Sequence, residues 1–153
     1  DGLDSNGTAS GLGGNDNMYI VSNKSVTGPT RCQVSGQQWH ELLYFGYFFD
    51  LSGGTGNDQL DDGGGSHDTI LYGDNDNDSI FQSTTIGQAF GGLGIVELFS
   101  YSAGATDNLD GGPGSDCLYT SDNLVDNIWC GDEYDYTNRS PRPSDCEETV
   151  SAC

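Results

Sequence analysis

Short apolar segments alternate with turns rich in glycine, asparagine and aspartate along much of this chain. The clearest example is Gly53–Asp61, with the sequence GGTGNDQLD, in which an Asp closes the turn and one large apolar residue follows two positions later. Glycine and asparagine favour turns and positive φ angles, and the residues after the Asp alternate as in a strand of about three residues. The pattern therefore predicts turn–strand units.

The unit recurs in tandem, with second and third copies that begin at Gly63 and Gly73 and keep the same phase. The acidic positions of these three copies are Asp58, Asp68 and Asp78, and the apolar positions are Leu60, Ile70 and Ile80. Further copies begin at Gly11 and Gly111, and degenerate ones fill residues 82–110 and 121–135. One unit cannot bury its apolar side chain alone, so stacked units with a thin shared core are expected.

These residues resemble the nonapeptide repeats of the RTX (hemolysin-type) calcium-binding family, whose pattern is G-G-x-G-x-D-x-U-x with U large and apolar. The resemblance is strong over residues 53–81 and 111–119 and fair over residues 11–19. It implies an all-β chain folded as a parallel β-roll, a β-solenoid of stacked turns with calcium between them. The ten-residue spacing departs from the family's nine, and the extra residue is expected at a turn corner.

In the resembled fold each turn supplies half of a calcium site, and successive turns alternate between two columns. One column is expected to hold Asp58, Asp78, Val96, Asp116 and then Asp132 or Asp135; the other is expected to hold Asp68, Gly87, Asp107 and Asp126. The ligands that the resemblance implies are Asp58, Asp78, Asp68, Asp116, Asp107, Asp126 and Asp16. The best site is expected between the turns that end at Asp58 and Asp78.

Two features qualify these ligand predictions. Val96 has no side-chain oxygen, so sites beside it are expected to be weak or missing. Asp also stabilises turns without any metal, which is the alternative role for each of these residues. Asp74 and Asp76 lie inside a turn and are expected to face water.

The net charge of the chain limits the classes of molecule that it can bind. Among 153 residues, 24 Asp and Glu stand against four Lys and Arg, and the formal net charge is −20. Such a charge repels nucleic acid and anionic lipid and favours cations. No apolar run approaches the roughly 20 residues of a membrane-spanning helix. High charge with low hydrophobicity is typical of disorder, but an aromatic content of 10% favours a chain that folds once its charge is neutralised.

The length predicts one domain over residues 1–153. Residues 1–19 are its first repeat-like turns, residues 53–129 its repeat array, and residues 130–153 a Cys-containing C-terminal cap. Residues 20–52 lack a clear turn motif and are expected to add one or two strands around Leu42–Phe49. The aromatic side chains of that stretch either enlarge the core or form a contact surface.

Five cysteines suggest an oxidising, extracellular location and a secreted chain. Cys130 with Cys146 is the first choice of disulfide. Cys117 and Cys153 could then form a second bridge, and Cys32 is left over. Spacing does not choose between the three possible pairings of four cysteines. Glycosylation sequons begin at Asn6, Asn23, Asn77 and Asn138, although an Asn- and Ser-rich chain also produces such triplets by chance.

No catalytic set emerges from the sequence, so no enzyme is predicted. The two histidines, His40 and His67, are more typical of structural or exposed positions than of a general base, and zinc or EF-hand spacings are missing. The first hypothesis is an extracellular calcium-binding protein with a structural or assembly role, such as a surface, matrix or fibre subunit that associates end to end. The alternative is a calcium-binding accessory or secretion domain of a larger secreted enzyme or adhesin. A third is a carbohydrate-binding module that uses Trp39, Tyr44 and Tyr47.

Overall fold

The computed structural model describes residues 8–10, 17–20, 32–35, 42–45, 49–101, 106–121 and 124–151. Before residue 50, and at residues 65–67 and 84–86, the description covers the backbone alone. Asp16, Cys153, Asn6, Asn23, Trp39, His40 and Tyr47 lie outside the described residues, and so do the side chains of Cys32, Tyr44 and His67.

Fifteen strands within these described ranges form two parallel sheets, and successive strands alternate between them as far as β14. Sheet A contains β1 (Thr8–Ser10), β3 (Cys32–Ser35), β5 (Phe49–Thr55), β7 (Gly65–Asn75), β9 (Thr84–Leu93), β11 (Asn108–Asp110) and β13 (Asn127–Trp129). Sheet B contains β2 (Asn17–Ile20), β4 (Leu42–Phe45), β6 (Gln59–Asp61), β8 (Ser79–Gln82), β10 (Glu97–Ser100), β12 (Cys117–Thr120), β14 (Tyr136–Thr137) and β15 (Glu148–Thr149).

Within each sheet the spatial order follows the chain order, and each strand pairs in parallel with the strand one coil away. From β5 to β14, equivalent residues of neighbouring coils are 18 to 20 positions apart. The residues described contain no helix, and none of the chain searched could cross a membrane as a helix. The all-β parallel β-solenoid predicted from the repeats is confirmed.

The core is a thin layer in which each strand from β5 to β14 contributes one side chain to a buried row. The register aligns one row in sheet A and another in sheet B, and fully buried members come from every coil between β5 and β12. The sheet A row contains Leu51, Leu71, Ala89, Leu109 and Ile128, and the sheet B row contains Leu60, Ile80, Leu98, Leu118 and Thr137. A single apolar side chain per strand is therefore enough when the coils stack.

The phase predicted for the second repeat copy is wrong by one residue. Leu71 is fully buried in the core row, whereas Ile70 is only half-buried. The strand pairing between β7 and β9 shifts its register between Gly65 and Asp68, and this irregularity absorbs the extra residue of the ten-residue spacing. The extra residue of this coil lies near the start of strand β7.

Residues 20–52 contain β3, β4 and the first part of β5, and the last two lie in the aromatic stretch where one or two strands were expected. The predicted strand Leu42–Phe49 is divided, since β4 ends at Phe45 and Phe49 begins β5 in the other sheet.

The C-terminal segment prolongs sheet B with two short strands, because β14 pairs with β12 and β15 pairs with β14. Cys130 and Cys146 form the predicted disulfide, with 5.3 Å between their Cα atoms and both residues buried. Cys117 is also disulfide-bonded, and the side chains of both remaining cysteines lie outside the description. Its pairing with Cys153 stays a prediction.

Candidate functional site

The turns that lead from sheet A to sheet B stack into one edge of the solenoid, which we name the Asp58 corner. Strand pairing aligns five residues there, one from each coil: Asp58, Asp78, Val96, Asp116 and Asp135. The predicted alternation of turns thus describes this edge correctly. Of the two acids considered for the last position, the structure places Asp135 in the column, and Asp132 is exposed.

One oxygen of each later carboxylate in this column accepts a hydrogen bond from the coil before it. Asp78 Oδ1 accepts from the main-chain nitrogen of Asp58 at 2.8 Å, and Asp116 Oδ1 accepts from Val96 at 2.9 Å. Asp135 Oδ1 accepts from Asp116 at 2.8 Å. The next coil ends the series with a Glu, since Glu147 Oε2 accepts from Asp135 at 2.7 Å. These bonds fix the carboxylates in line along the solenoid axis.

The second oxygen of these carboxylates is buried without a hydrogen-bond donor. Asp78 is 2% exposed and Asp116 and Asp135 are 0% exposed, and the Oδ2 atom of each makes no hydrogen bond. Leaving a charged oxygen in that state costs the full desolvation of the group, because nothing replaces the lost water. These oxygens therefore need a proton or a cation.

Two of these oxygens, those of Asp78 and Asp116, lie against the first glycine of their own turn and a carbonyl of the next coil. A Cβ on Gly111 would lie 2.6 Å from Asp116 Oδ2 and 2.5 Å from the main-chain oxygen of Cys130. Gly73 has the same kind of neighbours, Asp78 Oδ2 and the carbonyl oxygen of Gly91. The missing side chain of glycine thus leaves a carboxylate oxygen and a carbonyl oxygen facing one small space.

Val96 interrupts this arrangement in the middle of the column. Next to Gly91, the position that Asp Oδ2 takes in the neighbouring coils belongs to the Val96 Cγ2 methyl group. Val96 is fully buried, so the column of acids is divided by an apolar step into a pair below it and a pair above it.

Burial also changes the acidity of the column. Desolvation raises the pKa of Asp78 from 3.8 to about 8, and the nearby negative charge of Asp58 adds to the rise against the opposing hydrogen bond. Desolvation likewise raises the pKa of Asp116 to about 7, with a further contribution from Asp135. The pKa of Asp135 is raised for the same leading reason. In the absence of a cation, Asp78 and Asp116 therefore keep their protons to a higher pH than an ordinary Asp does.

The outer part of the same turns carries more acids and amides. Asp74 and Asp76 keep positive φ angles of 76°, and Asp74 pairs with glycines of the neighbouring coils. Asp76 is exposed, as predicted, whereas Asp74 is partly buried and its carboxylate accepts a hydrogen bond from Ser52 Oγ. Asn57 Oδ1 accepts from the nitrogen of Asn77, so amide side chains also join the coils.

The connections from sheet B back to sheet A stack at the opposite edge, which we name the Asp107 corner. The register aligns Thr69, Gly87, Asp107 and Asp126 there, so Thr69 stands where Asp68 was predicted. Asp68 is exposed because of the same one-residue shift that buries Leu71. Its predicted alignment with Gly87 and Asp107 is therefore wrong. The Gly87 main-chain nitrogen donates to Asp107 Oδ1 at 3.0 Å, and that of Asp107 donates to Asp126 Oδ1 at 3.2 Å.

Side chains that sequence reasoning missed face this second column. Asp62, Gln82 and Ser100 end successive strands of sheet B or directly follow them, and all three are buried. Ser100 Oγ lies 2.8 Å from Asp107 Oδ2 and 2.7 Å from Gln82 Oε1. Asp62 Oδ2 accepts from Thr69 Oγ1 at 3.1 Å. Their types differ from coil to coil, so the only signal was a polar residue two places after each apolar core position.

The two described sequons differ in how their asparagines are engaged. Asn138 is half-buried, and its amide makes two bonds to Thr120, with Nδ2 donating to the carbonyl and Oδ1 accepting from the nitrogen. A glycan on Asn138 Nδ2 would disturb that pair. Asn77 is exposed, and its Oδ1 accepts from Ile95 at 2.9 Å. Asn77 is therefore the more accessible of the two.

Chemically, the Asp58 corner offers oxygen ligands. The described residues contain no cluster of three or more His, Cys, Asp or Glu side chains suited to a metal ion. A cation here would take one or two carboxylates and complete its coordination with carbonyl oxygens, which suits a hard ion such as calcium. The orphaned Oδ2 atoms and the facing carbonyls fit such an ion.

These features define the class of the molecule as a parallel β-solenoid with an inward-facing acidic column along one edge. Comparison with protein-family models, with curated proteins and with solved structures gives no match to this chain.

Proposed function

We propose that this chain is a calcium-binding β-solenoid of the RTX type, in which ions at the Asp58 corner join neighbouring coils. The observation that carries this proposal is the series of buried Oδ2 atoms of Asp78, Asp116 and Asp135 that have no hydrogen-bond donor. A divalent cation between a carboxylate of one coil and a carbonyl of the next supplies the missing positive charge at the point where two acceptors meet.

The overall charge supports the same role. The chain carries a net charge of −20, and the coils bring acids of successive turns into line. The two arginines of the described C-terminal segment donate to main-chain carbonyls, Arg139 to Leu124 and Arg142 to Cys146. Calcium binding releases protons from carboxylates whose pKa is raised, so ion binding and folding are coupled.

The substitution Asp78→Asn tests the binding site directly. The amide that replaces the carboxylate can still accept the hydrogen bond from Asp58, but it lacks the charge that attracts an ion. We expect isothermal titration of calcium chloride into wild-type protein to give a Kd of about 1 mM or tighter. Asp78→Asn is expected to weaken binding by at least ~10-fold, since it removes a charged ligand.

Asp76→Asn is the matched control, because Asp76 belongs to the same turn and is exposed. It is expected to change the affinity by no more than about twofold, the modest effect of a screened surface charge. An equal loss in both variants would contradict a site at the buried column. Wild-type protein that takes up no calcium would contradict the proposed function as a whole.

For the biological role, we propose a structural component outside the cell. The Cys130–Cys146 disulfide fits an oxidising location, and a stack of coils held by ions is a rigid, elongated scaffold. The alternative is an accessory domain of a larger secreted protein, for which the same repeats would serve as a calcium-dependent folding unit. Attached glycans and end-to-end self-association remain part of the first proposal.

The two roles differ in the size of the particle in solution. A structural subunit is expected to associate in millimolar calcium, because each end of a solenoid exposes unpaired strand edges. Multi-angle light scattering over a range of protein concentrations measures this directly. A mass of 16.2 kDa at every concentration would favour the accessory-domain role.

A further inference from the structure

Buried carboxylates lie at both edges of the solenoid, and the groups that stabilise them differ between the two edges. On the basis of the function proposed above, we propose that calcium acts on the Asp58 corner, in two places separated by Val96, and not on the opposite edge between Asp62 and Asp107. The Asp107 corner, from Asp62 to Asp107, is held together by hydrogen bonds between side chains and keeps its structure without the ion.

At the Asp107 corner Asp62 has a separate donor for each carboxylate oxygen, and the single hydroxyl proton of Ser100 is shared between Asp107 Oδ2 and Gln82 Oε1. Asp107 Oδ1 accepts from the Gly87 main-chain nitrogen, and Ser100 Oγ lies within hydrogen-bonding distance of Asp107 Oδ2. Asp62 Oδ1 accepts from the main-chain nitrogen of Ser83 at 2.8 Å, and Asp62 Oδ2 accepts from Thr69 Oγ1. A carboxylate with a donor on each oxygen is stabilised in its charged form without a metal.

Gln82 completes this corner in the coil that has no acid. A Cβ on Gly87 would overlap the Gln82 side chain, so the amide of Gln82 fills the space that Gly87 leaves. Gln82 is fully buried and lies next to Ser100 in the following coil. This coil therefore has a neutral amide where an acid would need a cation to balance its charge. Asp126 lies one coil beyond Asp107, and the proposal does not extend to it.

The Asp58 corner has no such set of donors among its described residues. Asp78, Asp116 and Asp135 each have one oxygen bonded to the previous coil and one that is buried without a donor. Because Val96 presents a methyl group at the middle step, Asp78 and Asp116 belong to separate places. The ion is therefore required on one edge of the coil and not on the other.

Amide hydrogen exchange followed by NMR tests this division within one molecule. Five of the amides that donate to Asp Oδ1 atoms serve as probes: those of Asp58, Val96 and Asp116 at the Asp58 corner, and those of Ser83 and Gly87 at the Asp107 corner. When EDTA removes calcium, we expect exchange of the first three to accelerate at least ~10-fold, as local opening becomes easier. The last two are expected to change by no more than about twofold.

The outcomes separate this inference from the proposed function. Equal acceleration at both corners would overturn the inference while leaving calcium binding in place. No acceleration at either corner, together with no calcium uptake, would mean that the proposed function has failed.

Counting bound ions by native mass spectrometry in calcium gives a second test that does not need the metal-free state. Asp78→Asn and Asp116→Asn are each expected to lower the number of bound ions, because they remove ligands from separate places. Ser100→Ala removes the donor to Asp107 and is expected to lower stability without changing that number. A lower ion count in Ser100→Ala, or no loss in either Asp variant, would overturn the proposal.

Discussion

In the presence of EDTA, the melting temperature of this protein is expected to fall by more than ~10 °C as the pH rises from about 4 to 8. The cause is the buried acids of the Asp58 corner, since burial raises the pKa of Asp78 to about 8 and that of Asp116 to about 7. Between pH 3.8 and those values the folded chain binds more protons than the unfolded chain.

Stability that depends on such groups is fully present below pH 3.8 and is lost as the pH rises through the pKa of the folded state. Each unit of pKa difference corresponds to about 1.4 kcal/mol, so the two residues together account for several kcal/mol. For a chain of this length, each kcal/mol shifts the melting temperature by roughly 2–4 °C.

Calcium is expected to remove or reverse this trend. Deprotonated carboxylates bind the ion better, so in millimolar calcium the melting temperature at about pH 8 should at least equal that at about pH 4. Asp78→Asn is the control, because an amide does not titrate, and its trend in EDTA should be weaker. A melting temperature in EDTA that stays constant over this pH range would show that other groups neutralise the column. Differential scanning fluorimetry at matched ionic strength gives all of these values.

Gly114→Ala is expected to destabilise the chain by at least about 3 kcal/mol, measured by urea unfolding in calcium. Gly114 has a φ of 150°, and an added Cβ would penetrate the carbonyl oxygen of Gly94 in the coil before it. Because that atom belongs to the backbone, relief requires the two coils to separate.

Gly64→Ala is the matched control for this substitution. Gly64 also has a positive φ, 71°, but the nearest atom to an added Cβ is Ser83 Cβ at 3.6 Å. The expected cost is about 1–2 kcal/mol, the cost of the left-handed conformation alone. Similar losses for the two variants would show that the conformation of each glycine matters more than the close approach of the coils.

The repeat phase predicted the fold and one of the two columns because each coil of a solenoid is the template for the next. Asp58 and Asp78 are separated by two repeat units, and the structure joins them by a hydrogen bond as the alternation requires. The predicted alignment was wrong at Asp68. It assumed that every ten-residue repeat accommodates its extra residue at the same place. The irregularity in β7 accommodates it before Asp68 and moves Thr69 into the column.

The polar residues that close the Asp107 corner could not be predicted from the motif. The residues concerned lie outside the glycine and aspartate positions of the motif: Asp62, Gln82 and Ser100. Each packs in a connection of a different length between the two sheets. Gln82 fits at this corner because Gly87 has no side chain, and the contact between the two residues can be seen only in the folded coil. Such pairs depend on the path of the backbone rather than on the identity of either residue.

The stacking order of the coils also determines how the molecule bears mechanical load. Its strands lie across the axis, so tension between the two ends pulls hydrogen bonds apart one coil at a time instead of shearing a whole sheet at once. A released coil of 19 or 20 residues lengthens from a rise of about 4.8 Å to roughly 65 Å. The Cys130–Cys146 disulfide spans 16 positions and prevents most of one coil from extending. Under tension the chain is therefore expected to lengthen in steps, one coil at a time.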